Sequence, residues 1–302
     1  MKVLIRMLEI TRQVKVVVVT PAGRRVYLEM LIPQILALRP MVDEYHLWVN
    51  TTVQEDIEYM ESMAKLHPKF IKLYRLPSGI TPQGNATICH FFRNCIDPDS
   101  LYVRFDDDII ALDTPEAFAK FIDFRLRNPQ YFLVYGNILN NCLVTNIHQR
   151  SGRLPIFHGR PAEYACTGDN GWRDPVIAEC LHRQVLENGL AEYRMGHLWR
   201  LQEFERVSIN CISWLGSSFM EFNGEVGADE ELWLACDKPK QLNRPNCIFG
   251  DFVCVHYAFH TQRAHLDTTD VLSQYKDLLA IKSNDSARRL PSPNEKPGSK
   301  LG

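Results

Sequence analysis

Residues 101–109 read Leu-Tyr-Val-Arg-Phe-Asp-Asp-Asp-Ile, and this stretch decides how the rest of the chain is read. LYVRF is a short, largely apolar run of the kind that forms a buried strand. Three carboxylates follow it without a break. Ligands of open α/β sheets bind beyond the carboxyl ends of the strands, so the triplet stands where a ligand is expected. Adjacent carboxylates in a partly dry site repel one another, and a divalent cation or a donor-rich ligand removes that cost. Hard oxygen donors suit Mg²⁺ or Mn²⁺, which bind through one or two carboxylates together with substrate phosphates. In an extended chain Asp106 and Asp108 project to one side and Asp107 to the other. The competing reading is a solvated acidic turn leading towards a helix at Pro115.

On the N-terminal side, residues 14–20 (VKVVVVT) form a β-branched run closed by Pro21-Ala22-Gly23, which reads as a buried strand and a turn. Residues 25–38 place Leu28, Leu31, Ile32, Ile35 and Leu36 at helical spacing. Strands are expected at 46–50 and 70–76, and helices at 56–66 and 90–95. On the C-terminal side, helices are expected at 115–127, 174–189 and 271–281, and strands at 131–137 and 252–259. Strands alternating with helices predict an α/β fold with a mainly parallel central sheet flanked by helices. Residues 283–302 are polar and rich in Pro, Ser and Gly, and read as a disordered tail.

The chain has 302 residues, 45% hydrophobic and 23% charged, which excludes collagen-like, coiled-coil and largely disordered classes. Its formal net charge of −2 shows no basic excess, so nucleic acid is not an expected partner. Nine cysteines, an odd number without a C-x-x-C pair, argue against a disulfide framework or a zinc ribbon. They read as reduced, mostly buried thiols of a soluble cytoplasmic protein. Arg6, Glu9, Arg12 and Lys15 break the first apolar stretch, so no signal-peptide core is read there. The charge-free run 128–149 holds five Asn, too polar for a membrane span.

The block LYVRFDDDII (101–110) resembles the aspartate motif of glycosyltransferases with the GT-A fold. TPAGR (20–24), WVNT (48–51), YFLVYGNILNN (131–141), GADEELWL (227–234) and VHYAFHTQR (255–263) accompany it in order. Together they resemble a glycosyltransferase group found in bacteria, fungi and large algal viruses, from about residue 16 to 280. The resemblance implies a Rossmann-like GT-A domain over 1–282. Its nucleotide-sugar-binding half would lie at 14–114 and a smaller acceptor-binding half at 115–282.

In such enzymes the first aspartate contacts the ribose, or the metal through water, and the last binds the metal that bridges the donor's diphosphate. Asp106 and Asp108 take these places here, with Asp107 kept among the donor-binding residues. Thr20 and Pro21 would line the base pocket, and Arg24 would reach a phosphate. Asn50, at the end of the second strand, is a base or ribose contact. His256 would be the second protein ligand of the metal, with His260 as its substitute. Arg263 is a candidate diphosphate clamp, because Arg pairs bidentately with phosphate.

Asp229 resembles the general base of inverting enzymes, which deprotonates the acceptor hydroxyl. Glu230 and Glu231 compete for that role, and a plain helix cap is the structural alternative for Asp229. Asn137, Asn140, Asn141 and His148 are candidate hydroxyl contacts, and Trp214 and Phe219 candidate sugar platforms. The implied function is a glycosyltransferase that uses Mn²⁺ or Mg²⁺. It would move a sugar from a nucleotide-diphosphate donor, UDP ahead of GDP, to a glycan hydroxyl with inversion. Two other readings stay open. One is a non-catalytic glycan- or nucleotide-binding protein on a transferase fold. The other is a phosphotransferase with Asp106 as nucleophile, whose motif normally lies on the first strand.

Overall fold

The structure, a computed structural model, describes residues 14–288. Residues 1–13 and 289–302, which include the N-terminal stretch read for a signal core and most of the expected tail, lie outside the described residues. Residues 283–288 do not start a tail: the closing helix, Val271–Arg288, runs through them.

Nine strands form one sheet: β1 (Lys15–Ala22), β2 (Glu44–Val49), β3 (Ile71–Arg75), β4 (Ser100–Phe105), β5 (Ile109–Leu112), β6 (Val134–Leu139), β7 (Leu198–Leu201), β8 (Cys211–Leu215) and β9 (Asn246–His256). Their order is β3-β2-β1-β4-β8-β6-β9-β5, with β7 also paired to β9. β1 is parallel to β2 and β4, β2 to β3, and β6 to β9. β8 runs antiparallel between β4 and β6, while β5 and β7 are antiparallel to β9. β1, β2, β3, β4, β6 and β9 therefore share one direction, and the sheet is mainly parallel, as the alternating pattern predicts.

The sheet is buried because helices cover it. In β1 every residue after Lys15 is buried, which accounts for its unbroken apolar sequence. The strand runs two residues further than expected, since Pro21 and Ala22 stay in register with Trp48 and Val49 of β2. Helix Pro115–Arg127 has its expected bounds: Thr114 Oγ1 accepts from Ala117 N at 3.3 Å, and Pro115 occupies the first turn. Helix Pro175–Asn188 starts where Asp174 accepts from Val176 N and Ile177 N, and stops at Gly189, φ 77°. The helix expected at 90–95 is a short helix, Asn85–Ile88, continued by a 3₁₀ turn, Cys89–Asn94.

All nine cysteines are free, and seven are buried. Among the described residues, no helix is long and apolar enough to cross a membrane.

Candidate functional site

The acidic triplet forms the turn that joins β4 to β5. Asp106 N donates to Asn210 O at 2.9 Å, and Ile109 N donates back to Asp106 O at 3.0 Å, which tightens the turn. Each carboxylate meets an arginine. Asp106 Oδ1 accepts from Arg104 Nε at 2.8 Å, and its Oδ2 from Asn210 Nδ2 at 3.0 Å. Asp107 accepts from Gly23 N at 3.0 Å and from the Nε and Nη2 of Arg24. Asp108 Oδ2 takes Arg263 Nη2 at 2.8 Å and Arg24 Nη2 at 3.1 Å. Burial works to raise the Asp108 pKa, yet Arg24, His256 and Arg263 outweigh it and hold the carboxyl well below the usual carboxylate range.

His256 closes β9 opposite the triplet. Its Nδ1 lies 3.0 Å from Asn140 O and its Nε2 3.4 Å from Asp108 Oδ2. A carbonyl only accepts, so Nδ1 carries a proton and Nε2 faces the carboxylate. A cation between the two would bridge that gap. Ligand bonds of about 2.1 Å in octahedral geometry put neighbouring donor atoms about 3 Å apart, close to this spacing, and an ion bound there would displace Arg24 and Arg263 from Asp108 Oδ2. Among the described residues, no three or more His, Cys, Asp or Glu side chains are grouped to hold a metal. A site here would offer two protein donors and leave the other positions to water and substrate phosphate, as Mg²⁺ prefers.

Two cavities meet at the triplet. The smaller, about 310 Å³, lies at the carboxyl ends of β1 and β2 and is lined by Pro21, Asn50, Gly84, Ile88 and Asp107. The larger, about 640 Å³, carries Asp106, Asp108 and His256 together with Asp229, Glu231 and Trp172. Arg24, Asn85, Arg104 and Asp106 line both. Asp108 thus faces the larger space and Asp107 the smaller, while Asp106 borders both. A third cavity, about 1020 Å³, lies elsewhere, between helix Arg25–Ala37 and the closing helix, and none of the candidate residues line it.

The structure brings most of the expected residues to these two cavities. Arg263 lines the larger one. His256, rather than His260, faces Asp108; His260 packs instead on the Trp172 ring, 5.0 Å between centroids. Asp229 is solvent-exposed on the larger cavity and does cap a helix: its Oδ1 accepts from Leu232 N at 3.1 Å and from Arg206 Nη2 at 3.0 Å. Glu231 shares Arg206, whose Nε reaches it at 2.8 Å.

Other expectations need correction. Thr20 is fully buried, its hydroxyl accepts from Tyr45 OH at 3.0 Å, and it lines neither cavity. Asn50 lines the smaller cavity, but its amide is engaged, donating to Gly84 O and accepting from Thr87 Oγ1 at 2.8 Å each. It therefore tethers the 84–87 segment with one of its two N–H groups and one of its two lone pairs, on the wall of the cavity. The six candidate acceptor contacts are all buried. Asn137 donates to Tyr193 O and Gly250 O and bonds His148, Asn140 donates to Tyr257 O, and Asn141 caps helix Cys142–Arg150. Trp214 and Phe219 stack on each other inside the core. These side chains serve the backbone and the core, not a sugar.

Sequence reasoning missed Arg104. It is buried inside β4, forms a two-pronged pair with Glu230 at 3.0 Å per bond, and also holds Asp106. Burial pushes the Glu230 carboxyl up to about 7, against the pull of Arg104. A lone cation within an apolar strand was the available signal, because a buried charge needs partners. Asn210, Arg206 and Trp172 carried no such local mark.

No family model and no curated protein sequence matches the chain. Among solved structures, it is similar to 4-diphosphocytidyl-2C-methyl-D-erythritolsynthase from Anaerococcus prevotii, at 17% identity over 43% of this chain and 56% of that one, with a TM-score of 0.31. It is similar to a mycobacterial protein at 14% identity over 92% and 78% of the two chains, TM-score 0.48. It is also similar to a protein described as mannose-1-phosphate geranyltransferase from Thermus thermophilus, at 12% identity over 85% and 80%, TM-score 0.40. The chain spans less than two thirds of the synthase's own length.

Proposed function

We propose that this protein is a metal-dependent glycosyltransferase that moves a sugar from a nucleotide-diphosphate donor to a hydroxyl of a glycan. The observation that carries the reading is the meeting of two cavities at the aspartate triplet, with Asp108 and His256 facing the larger one and Asp229 lining the same space. The smaller cavity, with Pro21 and Ile88 in its lining, has the size and surface for a base and ribose. The diphosphate would then lie at Asp106 and Asp108, within reach of Arg24 and Arg263. UDP is the base favoured by the sequence resemblance.

Asp108 and His256 would hold Mn²⁺ or Mg²⁺, with Asp106, whose oxygens are taken by Arg104 and Asn210, acting through water or on the ribose. Such an ion supplies Lewis-acid stabilisation of the leaving diphosphate. Asp229 takes the proton of the acceptor hydroxyl, through the carboxylate oxygen that neither Leu232 nor Arg206 occupies. The acceptor oxygen then bonds to the anomeric carbon. The bond from that carbon to the diphosphate oxygen breaks, and its electron pair leaves with the nucleoside diphosphate. Displacement from the opposite face inverts the centre. Arg24 and Arg263 neutralise the charge that develops on the leaving group.

The test is calorimetric titration of UDP and GDP with and without Mn²⁺. Binding that requires Mn²⁺ supports the proposal, and absence of binding for both nucleotides in both conditions sinks it.

A further inference from the structure

Trp172 is a large aromatic residue left partly exposed on the wall of the larger cavity. Its position is built into the fold. It sits in a π-helical turn, Asp169–Arg173, and its carbonyl oxygen accepts from Thr261 Oγ1 at 2.7 Å. The carboxylate of Glu163 gathers the same turn by accepting from Asn170 N and Gly171 N at 3.1 Å each. Gly171 packs so closely that a Cβ there would stand 2.5 Å from Cys142 Sγ, which seats the turn on helix Cys142–Arg150.

The rings around Trp172 form a path from the triplet. His256, which faces Asp108, packs on Phe259 with centroids 4.5 Å apart; Phe259 meets Trp172 at 6.1 Å, and Trp172 meets His260 at 5.0 Å. The same cavity carries Asp229 and Glu231, both held by Arg206. The Arg173 guanidinium lies over the Trp172 ring, 5.8 Å from its centroid, and the part of the ring left exposed on the cavity, together with carboxylates and the Arg206 guanidinium, matches the two kinds of surface on a sugar ring. The apolar C–H face lies on the ring, and the hydroxyls meet the charged groups.

We infer that Trp172 is the acceptor platform, on which a pyranoside lies with its apolar face against the indole and its reacting hydroxyl towards Asp229. The inference rests on the transferase reading above and names the acceptor class for it.

Saturation-transfer difference NMR tests it on the full chain with methyl glycopyranosides of glucose, galactose, mannose and xylose, in the presence of UDP and Mn²⁺. Wild-type protein is expected to saturate the ring C–H protons of at least one pyranoside. Trp172→Ala should reduce that signal at least tenfold, and Trp172→Phe should keep most of it. UDP affinity with Mn²⁺, measured on each variant, should stay within twofold, which also shows that the variants are folded. Equal saturation in wild type and Trp172→Ala overturns the platform, as does the absence of signal from every pyranoside. Loss of UDP binding in the wild type overturns the transferase reading instead, while the Trp172 comparison without nucleotide still decides the platform.

Discussion

His256 Nε2 stands 3.4 Å from Asp108 Oδ2, and the other nitrogen of the same ring is fixed by the carbonyl oxygen of Asn140 at 3.0 Å. The ring is therefore oriented from behind, in the manner of imidazoles that serve as metal ligands. Asn140 holds this carbonyl from a left-handed backbone conformation, φ 60°, which Asn tolerates better than most residues.

Asp108→Asn and His256→Ala are each expected to weaken Mn²⁺-dependent UDP binding at least about tenfold, since even outer-shell changes cost metal sites about 10–100-fold. Calorimetry with and without Mn²⁺ separates this from a general loss of nucleotide affinity. Unchanged affinity in both variants would remove the pair from the metal site.

Asp229→Asn should lower sugar transfer by about 10²–10⁴-fold, the usual contribution of a general base, with UDP affinity unchanged. Asn keeps the helix cap, so this variant isolates the chemistry. Asp229→Ala loses the cap as well and should cost about 1 kcal/mol of stability. Transfer at the wild-type rate by Asp229→Asn would exclude Asp229 as the base.

Arg104→Met leaves Glu230 buried without its cation and should destabilise the fold by about 3–5 kcal/mol in urea unfolding. Replacing both residues, Arg104→Met with Glu230→Met, should recover at least half of that loss, because a matched apolar pair needs no desolvated charge. A double variant no more stable than Arg104→Met alone would count against the pair as the source of the effect.

Acid should weaken the fold through its buried histidines. Burial pushes His148 down to about 3, and His46 and His182 down to about 4, from an ordinary 6.5. Their stabilisation is present above the unfolded value and is lost as pH falls from 6.5 towards those folded values. Glu230, raised by burial to about 7, acts in the opposite sense, since its stabilisation fades as pH rises through 7. Three histidines against one carboxylate predict a net loss of about 3 kcal/mol between pH 7 and pH 5. The urea midpoint should be lower at pH 5, and His148→Gln should flatten the difference. Equal midpoints in the wild type would contradict this.

Much of the fold was legible where local chemistry is decisive. β1 and β4 announce themselves as apolar runs, and Pro115 marks a helix start to the residue. β5, β7, β8 and helix Cys142–Arg150 were not read. Each is short, and β8 (CISWL) is a strand because it fits between β4 and β6, a condition no local window contains. The same limit applies to the site. Asp106, Asp108, His256, Asp229 and Arg263 carry chemistry that marks them, and they do converge on one cavity. An Asn that bonds a buried carbonyl looks the same in sequence as one that meets a sugar hydroxyl, so Asn137, Asn140 and Asn141 were misplaced. Arg104 is visible, but its partner Glu230 is far away along the chain.

The placement of β8 also governs how the chain can be made. Until residue 211 has left the ribosome, β4 presents an open edge of unpaired amides and carbonyls beside a freshly formed parallel sheet. Synthesis at roughly 5–20 residues per second keeps that edge bare for several seconds. An N-terminal fragment ending near residue 115 would keep it permanently, and should aggregate during expression rather than fold into a soluble nucleotide-binding half.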